Sequence, residues 1–426
     1  MITIVAFIIA IGILITIHEA GHFLAAKFFN VKVETFSIGF GPPIFKKKSG
    51  ETEYVVAAIP LGGYVKMSGE DPNEPVKSER DFYAKPPWQR IVIALAGPIM
   101  NLLLTIILFS TVYTIGKYVP TYSIKTPKVG FASTNSTLKQ GDIIEKVNKK
   151  PVKTWQEFEK IVALNPDKEL DILIKRDGKN VNIKVKTGKN EKNGTGTIDI
   201  VPALKPVIGK IIKNSPAEKA KLKNGDIILS INGKEITGWE QVVNEIKDSN
   251  GKEITLIILR DGKREEKKVK PQYNKEHKKY VIGIVPKIDQ TFIKYPPFEA
   301  VKMGTKQFLS QSTLFFTFIK KLVTGNASFK SLGGPIMIAQ VAGKAAEAGL
   351  SSFLFFMGFI SLQLGYFNLL PLPVLDGGLI VMFLIEWIRG KPLSQKFVER
   401  FQQIGFALLG ILMILVFYND IMRLFH

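Results

Sequence analysis

The sequence predicts a polytopic α-helical membrane protein that carries a large soluble α+β insert. Three observations predict it. Met1–Ile17, Ile91–Ile115, Gly349–Leu375 and Ile404–Asn419 contain no charged residue. Residues 117–295 hold 37 Lys+Arg and 22 Asp+Glu. Within that charged stretch the sequence repeats itself at a fixed offset. A chain of 426 residues allows two or three domains.

The first segment, Met1–Ala26, opens with 17 charge-free residues, about 26 Å of helix against a bilayer core that needs ~20 residues. No basic residue precedes Lys27, so the segment lacks the basic start of a cleaved signal peptide and reads as a retained membrane helix. Ile91–Ile115 is long enough to span. The third segment starts near Gly349 and runs to Leu375, with Pro371 and Pro373 expected to break the helix near its end. Another apolar run then reaches Ile385, and the fourth segment is about Phe401–Phe417. That makes about four transmembrane helices. Residues 296–325 mix Phe and Leu with Lys302, Lys306, Lys320 and Lys321, which suits an amphipathic helix at the membrane surface better than a fifth span.

Short loops set the orientation. Residues 27–90 hold ten Lys/Arg, and the 386–400 loop adds Arg389, Lys391, Lys396 and Arg400. Both are expected to be cytoplasmic, leaving the N-terminus and the long insert outside.

The insert carries +15 of the net +21. Its lysines are scattered and interleaved with acids, with no Arg-rich stripe, so nucleic acid is not the expected partner. A Lys-rich composition accounts for the charge, and anionic lipid headgroups would be attracted by it. Leu138-Lys-Gln-Gly141-Asp142-Ile143-Ile144 matches Leu222-Lys-Asn-Gly225-Asp226-Ile227-Ile228 at an offset of 84. At the same offset Asn148 meets Asn232, Trp155 meets Trp239, and Arg176-Asp177-Gly178 meets Arg260-Asp261-Gly262. Two tandem copies of one module follow, each read as short strands around one helix, with Arg-Asp-Gly as a hairpin turn.

The chemistry lies in His18-Glu19-Ala20-Gly21-His22, an H-E-x-x-H motif. On a helix its two histidines share a face and can bind one metal, with the glutamate between them as general base. Ionisable groups inside a membrane helix are costly, which makes the cluster a functional site by default. Zinc requires a third protein ligand and keeps one position for water. The chain has no cysteine, hence no disulfide or thiolate ligand. His277 and His426 lie in other segments. Asp376, in Asn368-Leu-Leu-Pro371-Leu-Pro373-Val-Leu375-Asp376-Gly377, is the best candidate, since segments one and three run in the same direction and bring His18 and Asp376 to similar depth. The rival role for Asp376 is the N-cap of the following helix.

With His-Glu-x-x-His and Asn-x-x-Pro-x-Pro-x-Leu-Asp-Gly both unbroken, the chain resembles the site-2 protease family of intramembrane zinc metalloproteases, and more narrowly its bacterial, sigma-E-regulating branch, over nearly its whole length. Gly39-Phe40-Gly41-Pro42, Tyr54–Met67, Gly97-Pro98-Ile-Met-Asn101 and Ser331-Leu-Gly-Gly334-Pro335 fit the family as well. The insert copies resemble PDZ domains. The second matches better, through Ser215-Pro216-Ala217 and Asn232-Gly233, whereas Ser133-Thr134-Asn135 stands in the first where Ser-Pro-Ala is expected. PDZ modules bind peptides at a sheet edge, and a rigid spacer or gate is the equal alternative here.

The resemblance implies this organisation: 1–120, an N-terminal membrane core with the zinc motif, a re-entrant β-loop and the second transmembrane helix; 121–203 and 204–288, two extracytoplasmic PDZ domains; 289–348, the amphipathic region; 349–426, a C-terminal membrane core. It implies a zinc ion on His18, His22 and Asp376, Glu19 as the base, and Asn368, Gly62, Gly63 and Tyr64 against the substrate. Asn368 could instead brace the proline-rich break. Gly62-Gly63 would turn a hairpin between two apolar strands, whether re-entrant or at the surface. The implied partners are the lipid bilayer, peptide ligands of the PDZ domains, and single-span membrane proteins such as anti-sigma factors and signal-peptide remnants, cut in a bacterial inner membrane. Two other classes stand beside this one: a catalytically idle membrane scaffold presenting PDZ modules, and a zinc transporter, against which the lack of a repeated membrane half speaks.

Overall fold

In a computed structural model the described residues are 2–71, 75–132, 137–190, 194–198, 200–274, 279–326 and 333–424. Ser133-Thr134-Asn135, His277, Ser331-Leu332 and His426 fall outside them. The chain divides into two units, Met1–Lys117 with Ile293–His426, and Tyr118–Phe292.

The first unit starts with helix α1, Ile2–Phe28. Its apolar run is continuous, so burial follows shape: Ala6, Ala10, Leu14, His18 and Gly21 form one buried stripe at helical spacing. Strands β1, Val33–Ser49, and β2, Thr52–Met67, follow as an antiparallel pair. The turn lies at Gly50-Glu51, where Ser49 faces Thr52. Gly62-Gly63 sits inside β2 at the close of a second reversal, which brings residues 63–66 back along residues 35–38. Residues 35–38 are paired twice, Thr35 facing both Glu53 and Lys66 and Ile38 facing both Val56 and Gly63. The loop is thus a folded-over sheet with residues 35–38 in its middle.

Helix α2, Pro87–Ile115, starts with proline at its first position, where no N–H is missed. It packs against α1, and its face Arg90, Ile93, Gly97, Asn101, Thr105, Leu108 is buried.

In the second unit the repeat is a structural repeat. Strands Ile143–Val147, Glu169–Arg176 and Lys179–Lys186, with Lys150–Pro151 at the edge, form one four-stranded sheet. Ile227–Ile231, Ile254–Arg260, Lys263–Val269 and Lys234–Glu235 form a second sheet in the same order. Each is crossed by one helix, α3 (Trp155–Leu164) in the first; the second also has the short α4 (Pro216–Lys219), capped by Ser215, before α5 (Trp239–Asp248). Buried Leu138, Ile144, Leu170, Ile172 and Ile174 recur as Leu222, Ile228, Ile254, Leu256 and Ile258. Asp142 takes Nε and Nη2 of Arg176 at 2.7 Å each, and Asp226 takes the same atoms of Arg260 at 2.8 and 2.7 Å. Asp177-Gly178 and Asp261-Gly262 have φ of 49° and 78°, and 49° and 77°, the positive pair that a two-residue hairpin turn demands.

Helix α6, Pro297–Val323, returns to the first unit. It is the helix expected over 296–325, but its inner face lies on protein. Gly304 abuts Ser110 of α2, and Ser312 and Phe315 meet Tyr366. Helix α7, Pro335–Glu347, packs on α1; the sequence reading had not marked it. Helix α8, Leu350–Asn368, ends where Pro371 and Pro373 were expected to end it, and α9, Asp376–Arg389, follows. Val374 in the break has φ +81°, a strained value for a β-branched residue. Helix α10, Gln395–Leu424, is longer than the expected fourth segment. Its buried Asp420 accepts the N–H groups of Gly334, Ile336 and Met337 and so caps α7. Among the described residues four helices are long and apolar enough to cross a membrane: Ile2–Phe28, Pro87–Ile115, Leu350–Asn368 and Lys396–Arg423.

Candidate metal centre

His18 and His22 lie one turn apart on the α1 stripe that faces α2. Two glycines let the helices close on them. A Cβ on Gly21 would strike the Ala96 carbonyl, and one on Gly97 would strike His22 Nε2 and come within 2.9 Å of His18 Cε1. The close approach places the Ile93 carbonyl 2.8 Å from His22 Nδ1. A carbonyl only accepts, so Nδ1 carries the proton and Nε2 keeps its lone pair for a ligand.

His18 is held from the other side. Its Nδ1 lies 3.2 Å from the Asn101 amide nitrogen, while the buried Asn101 Oδ1 has no partner. Turning the amide over puts its oxygen on His18 Nδ1–H and fixes the same tautomer, with Nε2 directed away from α2. The backbone carbonyl of Asn101 accepts the hydroxyls of Thr105 and Ser361, which anchors that residue. A polar side chain on an apolar helix needs a partner, and for Asn101 it is His18.

Asp376 is the first residue of α9. Its Oδ2 is 3.1 Å from His18 Nε2 and its Oδ1 3.5 Å from His22 Nε2, and the two Nε2 atoms are 3.2 Å apart. The N-cap role is not taken: Leu375 is the cap, and no side chain caps the helix. Gly377 and Gly378 allow this placement, since a Cβ on either would strike the carbonyls of Leu370 or Leu372. One ligand atom from each of His18, His22 and Asp376 lies within 4.8 Å of the others, and this is the one such cluster among the described residues. Two imidazole nitrogens, one carboxylate and hydrogen-bonded outer nitrogens are the donor set of a zinc site that leaves a position for water.

Glu19 follows His18 in sequence and lies beside β2. A Cβ on Gly63 would come within 3.2 Å of Glu19 Cγ. Asn368, at the end of α8, has its amide nitrogen 3.3 Å from His18 Nε2. Gly62 and Tyr64 alternate to the other side of β2: Phe40 lies against Gly62 and stacks on Tyr64 at 6.3 Å. The structure thus gathers His18, Glu19, His22, Asp376, Asn368 and Gly63, while the side chain of Tyr64 belongs to a different surface. Sequence reasoning missed the Ile93 carbonyl, a backbone group with no side-chain signature. It also assigned no role to Gly97, although that glycine stood in a stretch already marked.

The model of peptidase family M50 matches residues 6–412. A chain of Neisseria meningitidis whose name carries the words zinc metalloprotease is 37% identical over 99% of this chain and 99% of its own length. Regulator of sigma-E protease RseP of Salmonella typhimurium is 35% identical over 98% of both chains, and the regulator of sigma E protease of Haemophilus influenzae 34% over 98% of both. Among solved structures, the PDZ domain of an SdrC-like protein from Listeria monocytogenes aligns with 20% of this chain and 90% of its own, at 20% identity and a TM-score of 0.18.

Proposed function

Because the chain belongs to peptidase family M50, the site-2 type of intramembrane zinc metalloprotease, we propose that His18, His22 and Asp376 hold its zinc ion and that Glu19 is its general base. The observation that carries this is the convergence of those three ligands, from two ends of the chain, beside a carboxylate on the next residue of α1. When bound, zinc supplies a Lewis acid that lowers the pKa of a coordinated water to about 7. Glu19 accepts the proton from the attacking water and returns it to the leaving amine. Asn368 offers its amide nitrogen to the substrate carbonyl.

A peptide bond inside a helix is screened by its own hydrogen bonds and must be unwound before attack. In this reading residues 63–66 of β2 hold the unwound strand by strand addition. The closeness of this stretch to the candidate base supports it: residues 63–66 pair with residues 35–38, and Gly63 lies against Glu19 Cγ. The β1–β2 sheet is then a re-entrant loop, with its backbone groups satisfied by its own ladder and by α1. Gly62 and Tyr64 contribute backbone to that edge.

The substrates are single-span membrane proteins. The names of the sigma-E-regulating relatives support anti-sigma-factor-like substrates, with signal-peptide remnants as a second class. The enzyme sits in a bacterial cytoplasmic membrane, its site toward the cytoplasm on the positive-inside bias of the short loops. The two repeats, 121–203 and 204–288, are PDZ domains on the outer side, which exclude substrates with bulky outer domains and offer sheet edges to peptides. Residues 1–120 and 349–426 form the membrane core, and 289–348 borders it. Cleavage of a single-span substrate in detergent, with and without a zinc chelator, tests the reading. Cleavage that stops on chelation and returns with zinc is expected; cleavage indifferent to chelation contradicts it.

A further inference from the structure

Arg90 and Glu386 are both nearly inaccessible, with side-chain exposures of 7% and 9%, and their Nη2 and Oε2 atoms are 2.9 Å apart. Arg90 Nε also donates to the Lys85 carbonyl, and Glu386 Oε1 accepts the Leu393 N–H. The guanidinium packs into the corner between the edge-to-face rings of Tyr83 and Phe383, at 4.9 and 4.7 Å from their centres. Arg90 Nη1 is buried without a partner. An ion pair this far from water is weak evidence for stability, because desolvation cancels much of the attraction. Its location suggests another use.

Along α9 the residues Asp376, Leu379, Phe383 and Glu386 follow at steps of three and four, so they share one face. Along α2 Arg90, Ile93, Gly97 and Asn101 do the same. Leu379, Phe383 and Ile93 belong to one apolar cluster, so these faces meet. At one end of the seam stands the ion pair. At the other, Asp376 meets the His18 and His22 rings, which rest on Gly97 and Asn101. The layer between, Ile93 with Leu379 and Phe383, is apolar, so it carries no polar contact to set the register. A slip of α9 by one turn, about 5.4 Å, would carry Asp376 clear of both histidines. The fork and its carboxylate accept one register only.

We propose that Arg90 and Glu386 are positioning residues for the metal centre: their ion pair fixes the register of α9 on α2 and so holds Asp376 opposite His18 and His22. The proposal rests on the zinc reading above and adds to it how the third ligand is aimed.

The test measures zinc dissociation constants on the full chain in detergent, together with the visible spectrum of the cobalt-loaded protein, which reports ligand geometry. Arg90→Met and Glu386→Met are each expected to weaken zinc binding about tenfold or more, the range seen when support of a metal ligand is lost. In the double variant an apolar pair replaces a buried ion pair, so thermal stability should return. Zinc affinity should stay about tenfold down, with an altered cobalt spectrum. A double variant that regains both the affinity and the spectrum of wild type overturns the proposal, as do single variants that bind zinc like wild type. Should the methionine variants not fold, Arg90→Lys decides, because it keeps the charge and loses the fork. Weaker zinc binding with an altered cobalt spectrum supports the proposal, and wild-type values overturn it. A wild-type protein that takes up no zinc contradicts the metalloprotease reading instead.

Discussion

Gly97 of α2 lies so close to the ring of His22 that no side-chain atom fits between them. The two residues, 75 positions apart in the chain, set how α1 and α2 meet at the metal centre. The nearest clash partners of a Cβ there are His22 Nε2, the nitrogen proposed to bind zinc, and the neighbouring His18 ring.

Gly97→Ala should therefore displace both rings while leaving the helices formed. Zinc retained after desalting should fall, with affinity down about tenfold or more. Full zinc occupancy in a folded variant would show that the rings have slack that the packing denies.

Asn101→Leu removes the hydrogen-bond partner of His18 Nδ1 at similar volume. Zinc affinity should drop about 10- to 100-fold. Asn101→Asp, which keeps an acceptor, should lose less. Equal losses in the two variants would mean that Asn101 acts through packing alone.

Glu51, at the β1–β2 turn, is bonded to Arg80 and to Lys27, and these hold its carboxyl at about 2, below its ordinary 4.5. A depressed carboxylate favours the folded arrangement above its ordinary value and loses that contribution as the pH falls toward the folded one. The hairpin turn should thus lose protection against hydrogen exchange between about pH 4.5 and about pH 2. Glu51→Gln should flatten this dependence. A variant with the wild-type profile would assign the transition to another group.

Asp226 is 1% exposed and holds both Arg260 nitrogens as well as the Lys223 N–H. Asp226→Ala takes one of two carboxylates from the Arg260 guanidinium, leaving Glu265, and should destabilise the second module by about 2 kcal/mol. Asp142→Ala should likewise destabilise the first. Thermal unfolding of the full chain would register each loss.

Much of this architecture is legible in the residues because its signals are local. Charge-free runs mark the spanning helices, and the offset of 84 carries the Asp–Arg clamps and the Asp-Gly turns from one module to the other. His18, His22 and Glu19 announce themselves by spacing, and Asp376 by being the lone acid at the right depth. What was hidden is tertiary. Gly62-Gly63 marks one reversal and Gly50-Glu51 another, and only the ladder shows that both flanking stretches of β2 pair with residues 35–38. The proton on His22 is assigned by the Ile93 carbonyl, which every residue type would supply. Helix α6 looks amphipathic in sequence, but only packing shows that Gly304 and Phe315 face α2 and α8.

The central claim is tested most directly by Glu19→Gln, assayed together for bound zinc and for cleavage of a single-span substrate. The account predicts wild-type zinc content with cleavage abolished, since the ligands remain and the proton acceptor is gone. Cleavage at the wild-type rate by a zinc-loaded Glu19→Gln protein would contradict it.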